Sequence, residues 1–174
     1  MKRKVIIHHL ELTAQADFHP ASSKGPVLEV RQSSIPCPDL NRFFYATVGK
    51  AWSWIDRLGW TDDQWMAYLD RPELTTWIGY LSGTPAGYFE LEAQAGQSVE
   101  ILYFGLLPQF IGAGIGGTFL NTTVETAWKL GGKRVWLHTC SLDHPTALAN
   151  YQARGFKLFK EETTTMEENG DILL

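Results

Sequence analysis

Apolar and polar positions alternate with a period of two over residues 3–12 and again over 27–32, which predicts two strands. A Pro/Ser/Gly-containing segment at 19–26 separates them and reads as turn. Ile35-Pro36-Cys37-Pro38-Asp39 is a second turn, with Asp39 placed to cap a helix over about 40–48. Thr61-Asp62-Asp63-Gln64 has the spacing of a capping box, and the short apolar run Trp65–Leu69 follows it. Leu74–Leu81 and Ala86–Glu92 predict strands that Ser82-Gly83-Thr84-Pro85 joins into a hairpin. After a turn at Gln94–Gln97, Val99–Leu107 is the more strongly apolar run and predicts a central strand. Beyond Pro108 the period becomes helical. Phe119, Leu120, Val124, Ala127 and Trp128 share one side of a helix over 118–130, which Gly131-Gly132 ends. A strand over 133–139 follows. A helix then opens at Pro145 and runs to about Arg154, Gly155 stops it, and a strand covers 156–165. This order predicts an α/β domain with a mixed central sheet flanked by helices.

The bulk numbers narrow the class. A chain of 174 residues with 44% hydrophobic and 20% charged residues fits one globular domain, expected over 1–174. No apolar run approaches the ~20 residues of a membrane span, so no membrane partner is expected. The start at Met1 is basic, but His8, His9 and Glu11 break its apolar stretch and no small-residue cleavage site follows, which reads as a mature cytoplasmic terminus. A net charge of −4 without a basic tract argues against nucleic acid as a partner. Cys37 and Cys140 are far apart and lack metal-ligand spacing, as free thiols in a reducing compartment would be. Of seven Trp, four (Trp52, Trp54, Trp60 and Trp65) crowd one short segment. Two readings stand: core or lid packing, or a pocket wall whose π faces hold a cationic amine at ~0.5–2 kcal/mol each. Exposed aromatic surface would also serve a homodimer.

The candidate chemistry begins at Pro108. From Gly112 to Gly117, glycines occupy four of six positions between a strand end and a helix start. Without Cβ atoms the backbone can approach a ligand closely, and the first N–H groups of a helix have no internal partners, so the loop suits a phosphate. A P-loop is excluded, because Gly117-Thr118 is not preceded or followed by the required lysine. Gly112-Ala113-Gly114 with Gly117 matches a dinucleotide fingerprint by letter. However, the next strand ends in Leu137-His138-Thr139, which offers no carboxylate for a ribose.

The run from Tyr103 to Gly116 resembles motif A of the GNAT acetyltransferase superfamily: apolar strand, proline, two residues, Arg or Gln, then Gly-x-Gly-x-Gly or Ala. Ala147–Phe156, with Tyr151 followed by Gly155-Phe156, resembles motif B, and together the two span about residues 74–165. The resemblance implies the GNAT acyl-CoA N-acyltransferase fold and acetyl-CoA as co-substrate. It implies that backbone groups of Phe104, Gly105 and Leu106 pair with the pantetheine arm, in a bulge that splays this strand from the next. It further implies that the backbone of Gly112, Ala113, Gly114, Ile115, Gly116 and Gly117 holds the pyrophosphate. Ile111 departs from the pattern, standing where Arg or Gln is usual. His144 stands where an Asn commonly bonds the pantetheine.

Transfer to an amine needs protons moved. An alkyl amine has a pKa near ~10.4, so its free base costs roughly 4–5 kcal/mol at pH 7. Glu100 is the candidate base: it lies four residues before Phe104, the spacing of the base glutamate in GNAT histone acetyltransferases. Period-two alternation would put it on the face of Leu102 and Phe104. Glu90, Glu92 and an ordered water are the alternatives. Tyr151 is the candidate acid, since the motif match turns it to the thioester and a phenol is protonated at neutral pH. Asp143 reads as a cap for the helix at Pro145. Neither a zinc site among His138, Cys140, Asp143 and His144 nor a Cys140–His138 nucleophilic pair has supporting spacing, and no metal is expected. These residues predict an N-acetyltransferase acting on a primary amine of a small molecule or peptide. A non-catalytic acyl-CoA or nucleotide sensor and a protein-interaction module are the rivals.

Overall fold

All seven predicted strands join one sheet. The computed structural model describes residues 2–167. Met1 and 168–174, the ends of the expected domain, lie outside them. The strands are β1 (Lys2–Leu12), β2 (Glu29–Ser33), β3 (Leu74–Leu81), β4 (Thr84–Gln94), β5 (Ser98–Leu106), β6 (Arg134–Cys140) and β7 (Lys157–Glu167). Their order is β2-β3-β4-β5-β6-β1-β7. Every neighbouring pair is antiparallel except β5 and β6, which a helical crossover makes parallel.

Among the described residues, four helices flank the sheet: α1 (Pro38–Gly49), α2 (Asp62–Leu69), α3 (Gly116–Lys129) and α4 (Ala147–Ala153). Successive side chains of a strand point to opposite faces, and β4 shows the consequence. Phe89 packs under Phe119 of α3, with Leu10, Val99, Ile101, Val135 and Leu137. Its neighbour Tyr88 stacks on Phe44 of α1, ring centres 4.9 Å apart. Trp65 of α2 is wholly buried beside Tyr45 and Leu74. The capping box of α2 forms as the spacing predicts. Thr61 Oγ1 accepts from the Gln64 N–H at 3.3 Å, and Gln64 Oε1 accepts from the Thr61 N–H at 2.8 Å.

Three local expectations are corrected. Asp39 does not cap α1, because the helix begins one residue earlier, at Pro38, with Cys37 at the cap position. Asp39 instead lies in the first turn, near the positive end of the helix dipole, and accepts from Arg42 at 2.7 Å. Arg42 also donates to Asp62, which ties α1 to the start of α2. Likewise α4 opens at Ala147, not at Pro145, because 141–146 are held as a tight turn. Asp143 serves the end of β6 and not a helix cap: its Oδ2 accepts from Thr139 Oγ1 at 2.6 Å and from the Cys140 N–H at 2.8 Å.

The third correction concerns β5. Its pairing with β4 steps from Leu91↔Ile101 to Glu90↔Tyr103, so Leu102 is an extra residue, a β-bulge. One extra residue inverts the alternation beyond it. Ile101 and Phe104 therefore pack on the same α3 side, and Glu100 faces away from Phe104 instead of sharing its face. At the same place β5 leaves β6, since their pairing stops at Ile101↔Leu137. The sheet opens there as a fork.

Candidate functional site

A cleft of about 640 Å³ occupies the fork. Phe104, Gly105 and Leu106 form its β5 wall, and His138 and Thr139 of β6 face them. The loop into α3 covers one end through Gly112, Gly114, Gly116 and Gly117, while Trp52 and Trp54 close another side.

The loop has the conformation its glycines allow. Gly112 and Gly114 have φ values of 82° and 77°, in the left-handed region that favours glycine. Between them the N–H of Ala113 donates back to the Phe110 carbonyl at 3.3 Å. Ile115 is wholly buried under Phe119 and anchors the loop to the core, so its contribution to the site is backbone alone. It stands at the cap position of α3 without a side-chain cap bond, and the first N–H groups of the helix are left for a ligand. Among the described residues, β5 pairs with β6 only as far as Ile101, so its edge from Leu102 to Leu106 is open toward the cleft. An uncapped helix start for a pyrophosphate, beside an open strand edge for an amide-bearing arm, fits acetyl-CoA.

Gly105 has a second duty. A Cβ there would stand 2.4 Å from Val48 Cγ1, so the bare backbone lets α1 close on β5.

The segment 19–26, read from sequence only as turn, is a wall of the site. Ser22 and Ser23 line the cleft. Ser23 Oγ donates to the Gly114 carbonyl at 2.9 Å and accepts from the Gly25 N–H at 2.9 Å. Asn121 of α3 clamps Ala21 by two bonds, of 2.8 and 2.7 Å. No local pattern encodes the contacts to Gly114 and Asn121, which reach across about ninety to a hundred residues of chain. Ile111 lies exposed at the mouth of the cleft. His144 also lines it, with Nδ1 accepting from the Thr146 N–H at 3.2 Å.

Tyr151 projects from α4 into the cleft and packs edge-on against Phe156, ring centres 5.9 Å apart. Burial pushes its phenol well up, with Asp143 adding to the effect. Glu100 is only 7% exposed and lies beneath the fork. Its Oε2 accepts from Gln94 Nε2 at 2.9 Å, and its Oε1 lies 3.5 Å from His138 Nδ1. His138, unlike Glu100, lines the cleft. It pairs with the carboxylate and not with a thiolate; burial beside Asp143 pushes the Cys140 thiol up, which disfavours a nucleophile there.

The alternative carboxylates have other partners. Glu92 bonds Arg71 at 2.8 Å. Glu90 is buried, accepting from Asn41 at 2.8 Å and from Tyr68 at 2.5 Å. Burial raises its pKa against the opposing pull of Arg57, whose Nη1 lies 3.7 Å away. The Arg57 guanidinium sits among aromatic rings, 3.9 Å from the centre of Tyr68, 4.6 Å from Tyr103 and 4.7 Å from Trp60. The Trp cluster is thus divided: Trp52 and Trp54 face the cleft, while Trp60 and Trp65 pack around Arg57. Among the described residues, no group of three His, Cys, Asp or Glu converges as a metal site would, and no helix is long and apolar enough to cross a membrane.

Comparison with known proteins agrees with this architecture. No curated protein matches the chain. Among solved structures, a GCN5-related N-acetyltransferase from Sphaerobacter thermophilus superposes with a TM-score of 0.64 at 18% identity, over 94% of this chain and 53% of that one. One from Kribbella flavida gives 0.62 at 15%, over 98% of this chain and 62% of that one. This chain therefore spans little more than half the length of those relatives. AAC(6')-Iy, solved in complex with the bisubstrate analogue CoA-S-monomethyl-acetylneamine, gives 0.56 at 18%, over 75% of this chain and 90% of that one. The sequence model of the Acetyltransferase (GNAT) family matches residues 37–156, well over half of the chain. With the fork, the bulge and the glycine loop all inside that span, the chain belongs to the GNAT acetyltransferase family.

Proposed function

We propose that this protein transfers the acetyl group of acetyl-CoA directly to a primary amine of a small molecule or peptide. The observation that carries this reading is the uncapped start of α3 beside the open edge of β5, in one cleft that Tyr151 also enters. The amine nitrogen attacks the thioester carbonyl carbon, the N–C bond forms, and the C–S bond breaks. Glu100, beside His138, supplies the negative charge that draws the proton away from the amine. The departing sulfur takes its proton from Tyr151, whose buried phenol holds that proton throughout the neutral range. Trp52 and Trp54 offer π faces to a cationic acceptor, and the net charge of −4 favours one. The coenzyme A–acetylneamine complex of the similar AAC(6')-Iy supports a small polyamine as one such acceptor. We read the chain as one domain working in the cytoplasm, and sedimentation at micromolar concentration tests it for a homodimer.

The first test is thermal unfolding with acetyl-CoA, ATP and NAD⁺. At about a hundred times the dissociation constant, selective binding contributes ~2.7 kcal/mol and should raise the melting temperature by roughly 5–10 °C. Thiol release over a panel of amines should then follow. A shift with NAD⁺ but none with acetyl-CoA removes the reading; a shift without turnover on any amine turns it into that of a sensor.

A further inference from the structure

Glu100 has the negative charge a base needs but not the position. It is 7% exposed, one carboxylate oxygen is engaged by Gln94, and it does not line the cleft. His138 has the position. It is the first residue of β6 past the last β5–β6 pair, so its ring stands at the apex of the fork. Its side chain is 48% exposed and lines the cleft, and its Nδ1 is the atom near Glu100. A histidine that gives Nδ1–H to a carboxylate is left with Nε2 as an acceptor, the arrangement of an oriented general base. The 3.5 Å separation is long, and such contacts characteristically tighten when substrate is bound.

We propose that His138 is the general base of this site and that Glu100 is its positioning carboxylate. The proposal rests on the acetyl-transfer reading. The acceptor's ammonium gives its first proton to His138 Nε2, and Glu100 stabilises the imidazolium, which later releases that proton to solvent. The amine lone pair then forms the N–C bond as the C–S bond breaks. The second nitrogen proton replaces the one Tyr151 gives to the sulfur, so the step releases amide, thiol and one proton.

Several other ionisable groups surround the ring. His9 of β1 lies directly across, ring centres 5.8 Å apart, and itself pairs with Glu162 of β7 at 2.9 Å beside Lys160. Glu92 of β4 stands opposite Glu100 in the sheet. Asp143 and His144 of the turn before α4 share the cleft.

The test is the pH dependence of kcat at saturating amine and acetyl-CoA for wild type, His138→Gln and Glu100→Gln. The acetyl-CoA thermal shift of each variant serves as a check of folding and binding. Wild type should lose kcat as pH falls and an imidazole protonates. His138→Gln should lose about 10²-fold or more in kcat, with the KM for acetyl-CoA within a few-fold and the acid limb gone. Glu100→Gln should lower kcat with the KM for acetyl-CoA within a few-fold and keep the acid limb, because the imidazole remains the group that takes the proton. Free imidazole should restore part of the kcat lost by His138→Ala. A His138→Gln enzyme within threefold of wild type, with its acid limb intact, overturns the proposal and leaves Glu100 or water as base. A wild type that binds acetyl-CoA but turns over no amine overturns the parent reading as well, so the two failures appear in different proteins.

Discussion

Two groups owe their chemistry to burial, and each gives a prediction about a single atom. The phenol of Tyr151 is pushed up, so it keeps its proton at neutral pH and has one to give to the departing sulfur. Tyr151→Phe should reduce kcat by ~10-fold or more with the KM for acetyl-CoA nearly unchanged, measured by thiol release. Equal kcat in the two enzymes would return Tyr151 to a packing role against Phe156. Glu90 makes the opposite use of its surroundings. Burial raises it above its ordinary 4.5 despite Arg57, Tyr68 and Asn41. The folded state therefore holds that proton more tightly than the unfolded chain does. Its contribution to stability is full below the ordinary carboxyl range and is lost as pH rises through its folded value. Urea unfolding should accordingly show Glu90→Gln losing more stability relative to wild type at pH 4.5 than at pH 7.5. An equal loss at both would mean the buried carboxyl is not raised.

Elements meet at positions where one residue decides the fit. Gly105 lets α1 close on β5, and a Cβ there would fall 2.4 Å from Val48 Cγ1. Gly105→Ala should cost about 1–3 kcal/mol in urea unfolding, and Gly105→Ala with Val48→Ala should be closer to additive-minus-strain than to the sum of the singles. Strict additivity would show that the contact is already slack. What could be read in advance follows from how far apart the partners lie. The α2 capping box was legible because both of its bonds close within Thr61–Gln64. The glycine loop was legible because its backbone conformation is written in its own residues, Gly112 and Gly114. The resemblance implies a bulge at Phe104–Leu106 of β5, but its place at Leu102, and so the parity of Glu100, was not legible, because it exists only relative to the β4 partner. Asp143 and Pro145 misled for a different reason: a polar residue before an apolar helix looks like a cap, but the local partners it takes are Thr139 and Cys140, at the end of the preceding strand. His138 was read beside Cys140 in the chain, whereas its partner is Glu100 on the next strand.

Among the described residues, the strand order places β1 between β6 and β7, so residues 2–12 are enclosed by two strands from the second half of the chain. Seven strands could be counted from the sequence; their order could not, since β1 pairs with strands more than a hundred residues away. A second long-range feature holds α1, α2 and the sheet together. Arg57, from the connector between the helices, inserts its cation among Tyr68, Tyr103 and Trp60, next to the Glu90 carboxylate of β4. Its backbone N–H also donates to the Tyr45 hydroxyl of α1 at 3.3 Å. Arg57→Met strips the buried carboxylate of its counter-charge and should lower unfolding stability by about 3–5 kcal/mol. Adding Glu90→Gln should recover part of that loss, and a double variant no better than Arg57→Met would show that the rings and not the charge hold the connector.

The division of the indoles around that connector has an optical consequence. Trp52 and Trp54 border the cleft, while Trp65 is sealed from solvent and Trp60 packs beside it. Filling the cleft displaces water from the first two and leaves the second two in an unchanged interior. The intrinsic emission of the protein should therefore move to the blue as the cleft fills, a label-free readout of occupancy that needs no turnover.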